Sequence, residues 1–240
     1  MGLHIHAHPD PDALARALAG ELAAACRGGL ARDGRAVLAL AGGRTPWPAY
    51  RLLADPAAAG DDAAALDWER ITVVPTDERC VPHDHPASNL AGLRGAFAAA
   101  RGLVFQALTV ADGGPDASEQ HARTVLGSCW RRFDAVLLGM GEDGHTASLF
   151  AGADRLPCGF DAGHAACRID PGPLPPEAPF ARISLTVPRL LCSRVIHIAI
   201  TGARKREVLE ETLADRDPLR YPVAAILHAP APRVHVHWSP

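Results

Sequence analysis

Apolar residues along this chain follow two rhythms, and their alternation sets the expected fold. Unbroken apolar runs at 36–40 and 135–138 have the length and texture of strands buried on both faces, and 71–74, apolar but for Thr72, reads as another strand. A shorter run at 103–105 is a further candidate, and 182–187, 195–200, 223–227 and 234–238 also read as strands. Helical spacing marks 11–26, 117–131 and 203–213. Pro46 opens a helix through Leu53, because proline suits a first helical turn. Ser88 or Asn89 caps a helix reaching about residue 100. Residues 54–67 predict a loop with a surface turn, and the Pro- and Gly-rich stretch 158–180 predicts an irregular excursion. Strands alternating with helices predict an α/β fold over 1–240, one domain with a doubly wound, mostly parallel sheet flanked by helices.

In such sheets ligands bind beyond the carboxyl ends of the strands. Three polar or glycine-rich segments stand at those ends, so the loops holding Gly43, Asp77 and His145 are expected to meet at one edge. In the first segment, Gly42 and Gly43 allow close approach of a ligand, while Arg44 and Thr45 add a charge and a hydroxyl before a helix start. A phosphate cradle or a plain turn both fit. It matches neither GxxxxGK[ST] nor GxGxxG, so nucleotide binding is not favoured.

The second segment, Thr76-Asp77-Glu78-Arg79-Cys80, continues to Ser88-Asn89. Its charges suit substrate hydroxyls or developing charge, or form a solvated loop with local ion pairs. Cys80 reads as a partly buried spectator thiol. In the third, 139–150, three glycines surround His145 and two carboxylates. A histidine takes a proton near neutral pH, and Asp143, two residues earlier, can orient it. Farther on, Arg182 offers bidentate anion contacts, and Lys205, the chain's single lysine, a point charge.

Composition narrows the partners. A net charge of −3 and the absence of a basic face give no reason to expect nucleic acid. No apolar run approaches the roughly 18 residues of a membrane span. The start is rich in His and Pro rather than basic-then-apolar, so no secretory signal is expected. Six cysteines without a Cys-x-x-Cys pair predict free thiols in a reducing cytoplasm. Nothing in the sequence fixes an oligomeric state.

The segments GGRTP (42–46), TDERCVPHDHPASN (76–89), GMGEDGHTASLF (139–150), RISLT (182–186) and TGARK (201–205) have an order and spacing that resembles the 6-phosphogluconolactonase family, grouped with the glucosamine-6-phosphate isomerases. The resemblance spans about 38–227. It implies a Rossmann-like fold, hydrolysis of 6-phospho-D-glucono-1,5-lactone in the oxidative pentose phosphate pathway, and no metal or organic cofactor. By motif, His145 is the implied general base, supported by Asp143, with Asp77 and Arg79 lining the lactone. Gly42, Gly43, Arg44, Thr45, Gly144, Arg182 and Lys205 are the implied substrate contacts, mostly at the phosphate. Two positions depart: Arg44 stands where many relatives carry Ser, and Ala151 where Pro is common.

Three other readings compete. An amino-sugar-phosphate isomerase or deaminase typically carries Glu five residues after the histidine, where this chain has Phe150. A metal-dependent hydrolase would use His4, His6, His8, His235 and His237, since His-x-His on a strand places two imidazoles on one face; the alternative is terminal strands with exposed histidines. A non-enzymatic sugar-phosphate sensor is opposed by the complete His145 loop. No Gly-x-Ser-x-Gly elbow supports a serine esterase.

Overall fold

The computed structural model describes residues 2–55, 66–127, 131–172 and 179–240. Elements run β1 (Leu3–Ala7), α1 (Pro11–Asp33), β2 (Ala36–Leu40), α2 (Trp47–Ala54), β3 (Ile71–Pro75), β4 (Asp77–Arg79), α3 (Asn89–Ala96), β5 (Val104–Phe105) and α4 (Pro115–Gly127). They continue β6 (Ala135–Gly139), β7 (Ala166–Arg168), β8 (Arg182–Leu185), α5 (Val187–Leu191), β9 (Val195–Thr201), α6 (Ala203–Ala214), α7 (Ala224–Leu227) and β10 (Arg233–Ser239). Seven strands form one sheet in the order β1-β10-β9-β6-β2-β3-β5. Every pairing in it is parallel.

Alternation along the central strands divides the core. Val37 and Ala39 of β2 and Val136 and Leu138 of β6 face one cluster, with α4, α6 and α7. Ala36, Leu38 and Leu40, with Ala135 and Leu137, face the other, under α1, α2 and α3. All nine strand residues are buried, which is why these strands read as continuous apolar runs.

Several expectations need correction. The run 223–227 is not a strand but α7. A short apolar run carries no decisive period, and here Ile226 and Leu227 both donate to the Val223 carbonyl. Residues 182–187 split: β8 ends at Leu185, and Thr186 caps α5 by accepting from the Arg189 amide. β8 also lies outside the large sheet, in a small antiparallel sheet β4-β8-β7. The charged segment after β3 is itself strand β4, and the expected excursion after 158 contains β7. Helix α1 runs on to Asp33, and α3 stops at Ala96. Most of the loop expected at 54–67, the end of the helix expected at 117–131, and 173–178 of the excursion lie outside the described residues.

The terminal histidines are not uniformly exposed. β1 and β10 run in register, His4 beside His235 and His6 beside His237. His237 and His197 of β9 are 2% and 0% exposed. His8 Nε2 is 3.1 Å from His237 Nδ1, and His237 Nε2 is 3.1 Å from His197 Nδ1. His6 Nε2 and His235 Nδ1 lie 2.9 Å apart, with ring planes 7° apart. Nearly coplanar rings meeting edge to edge aim their nitrogens at one another rather than at a shared centre. Among the described residues no group of three or more His, Cys, Asp or Glu is arranged to hold a metal ion.

Candidate active site

The cleft lies at the carboxyl ends of the central strands. It has a volume of about 220 Å³ and is lined by Gly42, Gly43, Arg44 and Thr45 after β2, by Asp77 and Arg79 of β4, by His145 after β6, by Arg182 of β8 and by Lys205 of α6. The three loops expected to meet are thus brought together. Asp143 and Gly144 stand behind this wall and do not line it. Cys80 is also outside it, and burial pushes its thiol up to about 12, so it stays protonated at neutral pH.

The loop after β6 builds the His145 position. Thr146 Oγ1 donates to the Gly139 carbonyl at 2.8 Å and closes the loop, while the Gly141 amide donates to the His145 carbonyl at 2.9 Å. Gly141 has no room for a side chain: a Cβ there would sit 2.1 Å from His145 Nδ1 and 2.3 Å from Asp143 Oδ1. The missing side chain lets the pair fold against the backbone. Asp143 Oδ1 lies 2.6 Å from His145 Nδ1 and also accepts from the His145 amide. Burial would raise the Asp143 carboxyl, but the hydrogen bond and the charge of His145 outweigh it and hold the group below the ordinary carboxylate range. An ionised Asp143 accepts from Nδ1–H, so the tautomer it favours leaves Nε2 bare.

The DER segment is fastened by a buried carboxylate. Glu78 Oε1 accepts from the Arg79 and Asn89 amides, and Oε2 from the Leu90 amide and Ser88 Oγ. Two of these donors are in the first turn of α3, where no helical acceptor exists for them. Burial raises the Glu78 carboxyl even though three backbone donors pull it down, and nearby Asp77 adds to the rise. Asp77 is held on both oxygens, by Ser148 Oγ at 2.6 Å and Thr76 Oγ1 at 3.3 Å. Arg79 is steered by donation of Nη1 to the Ala87 carbonyl at 2.8 Å.

Asn89 was expected only as a helix cap. It also lines the cleft, and its Nδ2 donates to the Asp77 carbonyl at 2.8 Å. A Cβ on Gly42 would come 2.0 Å from Asn89 Oδ1, so the glycine turn and α3 close together only because Gly42 is bare. Its place two turns beyond a charged strand end was the signal. Met140, Gly141, Ala147 and Ala199 also line the cleft without having been singled out.

Charge is lopsided. Arg44, Arg79, Arg182 and Lys205 line the cleft, against one carboxylate, Asp77, among its described lining residues. Arg79 and Arg182 are cross-strand partners, and Arg182 is only 5% exposed. Like charges directly opposite destabilise a sheet, a cost relieved by an anion between them. Burial lowers the Lys205 ammonium, Glu142 and Asp143 oppose that, and Arg44 lowers it further. An arriving anion would relieve the last effect.

Fold and cleft together define an α/β protein with a cation-lined cleft and a carboxylate-backed histidine at the carboxyl edge of its sheet. The chain belongs to the family of glucosamine-6-phosphate isomerases/6-phosphogluconolactonase, whose pattern it matches over residues 9–238. A 6-phosphogluconolactonase of Pseudomonas putida is 36% identical over 244 residues, covering 98% of this chain and 93% of the relative. The crystal structure of a 6-phosphogluconolactonase from Shewanella baltica superposes with a TM-score of 0.89 at 29% identity, covering 99% of this chain and 98% of that one. A monomeric glucosamine-6-phosphate deaminase shares the fold at a TM-score of 0.79 and 20% identity, covering 98% of this chain and 97% of its own. The fold alone therefore does not choose between the two chemistries.

Proposed function

We propose that the chain is a single-domain cytoplasmic hydrolase of 6-phospho-D-glucono-1,5-lactone, giving 6-phospho-D-gluconate in the oxidative pentose phosphate pathway. The observation that carries this reading is His145, tied to Asp143 at 2.6 Å, on the wall of a cleft that four cationic side chains also line. Relatives at 36% identity bear the same activity in their names. No described helix is long and apolar enough to cross a membrane.

In this account His145 Nε2 takes a proton from water as the water oxygen adds to the C1 carbonyl. Asp143 stabilises the imidazolium that forms. The bond from C1 to the ring oxygen then breaks, and the imidazolium returns its proton to the departing oxygen. The new acid ionises to solvent. Arg79 and Asp77 face the lactone, with Arg79 a candidate donor to the oxyanion. Gly42, Gly43, Arg44, Thr45, Arg182 and Lys205 receive the phosphate, and Gly144 shapes the turn. Phosphate binding remote from the reacting carbon positions that carbon and lowers its barrier. An isomerase or deaminase needs more acid–base groups, and the site has apolar Phe150 beside the histidine.

Comparing freshly made 6-phosphoglucono-1,5-lactone with glucono-1,5-lactone, background hydrolysis subtracted, tests the reading. A kcat/KM about 10²-fold or more in favour of the phosphorylated lactone is expected. Equal efficiency on both would sink the phosphate site.

A further inference from the structure

The turn that follows His145 ends in a ring whose place the proposed chemistry leaves unexplained. Phe150 is 9% exposed and does not line the cleft. Its ring meets the His145 imidazole, centroids 4.4 Å apart and planes tilted by 34°. The Arg182 guanidinium carbon lies 5.3 Å from the centroid of the same ring. The backbone fixes it there: the Leu149 amide donates to the Thr146 carbonyl at 2.9 Å, and Ala147 takes a φ of 48° to make the turn. Ser148, in the same turn, donates its amide to Ser184 Oγ on β8 and its hydroxyl to Asp77. One short turn thus touches the base, a carboxylate and a guanidinium of the cleft.

We infer that Phe150 is a positioning residue for the proposed hydrolysis, its ring packing against both the His145 imidazole and the Arg182 guanidinium and fixing the direction of the base. The inference rests on His145 being the base. Asp143 tethers the imidazole at Nδ1 only, which leaves the ring free to swing about that contact. An aromatic face at van der Waals distance removes this freedom, so that Nε2 keeps one direction. The same ring also offers its electron-rich face to the Arg182 guanidinium. Apolar packing alone would not require an aromatic residue at this point; two polar groups meeting one ring do.

A double-mutant cycle separates this role from mere packing, with F150L, F150Y, H145N and F150L/H145N assayed on 6-phosphoglucono-1,5-lactone at raised enzyme concentration. Each variant is first shown by circular dichroism and a cooperative melt to be folded. F150L is expected to lose about 10- to 100-fold in kcat, the scale of a base displaced by a fraction of an ångström to an ångström. F150Y, which keeps the ring, is expected within about threefold of wild type, and adding F150L to H145N is expected to cost less than about twofold, because the ring acts through the missing base. A folded F150L within about threefold of wild type would overturn the inference, and so would an equal loss in both backgrounds. If F150L does not fold, F150Y and F150M carry the same test, M taking the place of L in the cycle. An H145N protein with near wild-type kcat would instead overturn the base reading itself.

Discussion

Two buried histidines should make this protein sensitive to mild acid. His197 and His237 are pushed down to about 3, by burial first and then by neighbouring histidines. In the unfolded chain both return to about 6.5. The sign follows from linkage: below pH 6.5 the unfolded chain binds protons that the folded chain refuses, so stability falls as pH drops from about 6.5 toward 3. At pH 5 each imidazole costs the fold about 2 kcal/mol, from about 1.5 pH units at 1.36 kcal/mol per unit. Together they cost up to about 4 kcal/mol, an upper bound because each depression includes repulsion from the other. That is a large share of the roughly 5–15 kcal/mol that holds a domain together. Glu21 lies near enough to oppose the depression at neighbouring His235, and Arg233 reinforces it, so this edge carries little compensating charge. The assay is urea unfolding at pH 7.5 and 5.0 for the wild type and for His197→Leu/His237→Leu. The wild type should lose about 2–4 kcal/mol more than the variant between the two values. Equal losses in both proteins would refute the reasoning.

Other expectations follow from single contacts. Glu78→Gln should cost about 1–3 kcal/mol and lower Tm, because an amide NH₂ in place of either oxygen faces a backbone N–H; an unchanged melting curve would contradict the proposed fastening of the DER segment. Lys205→Ala should raise KM for the phosphorylated lactone by about tenfold and leave glucono-1,5-lactone hydrolysis nearly unchanged, a split read from initial rates on both substrates. Prolonged treatment with a chelator should leave activity intact; activity lost and then restored by zinc would revive the terminal-histidine metal site.

Legibility in the sequence followed burial. β2, β3 and β6 were plain because both faces are covered, so β2 and β6 are apolar runs and β3 is broken only by Thr72. β4 was hidden because Asp77, Glu78 and Arg79 are charged, and only the hydrogen bonds to β8 and α3 make them a buried strand. The small sheet as a whole is tertiary: nothing in 182–187 says which sheet it joins. α7 was misread because four residues after a proline cannot display a helical period. At the site, glycines around His145 announced a shaped loop, whereas Asn89 looked like a cap and Phe150 stood out only for lacking the sister family's Glu. Their second contacts, to Gly42 and to Arg182, come from segments distant in sequence. His197 sits in a strand of otherwise apolar residues, and only its alignment with His237 reveals the hydrogen-bonded row.

The most direct test of the central claim is the rate at which purified protein converts freshly made 6-phosphoglucono-1,5-lactone to 6-phosphogluconate, compared with a folded His145→Asn variant. Formation of 6-phosphogluconate is followed with a coupling dehydrogenase, and spontaneous hydrolysis is subtracted at each pH. Asparagine keeps much of the loop's polarity and removes the base, so kcat should fall by about 10²–10⁴-fold while KM changes less. Wild-type protein no faster than the background, or a folded His145→Asn protein with near wild-type kcat, would contradict the account, the second result moving attention to Asp77.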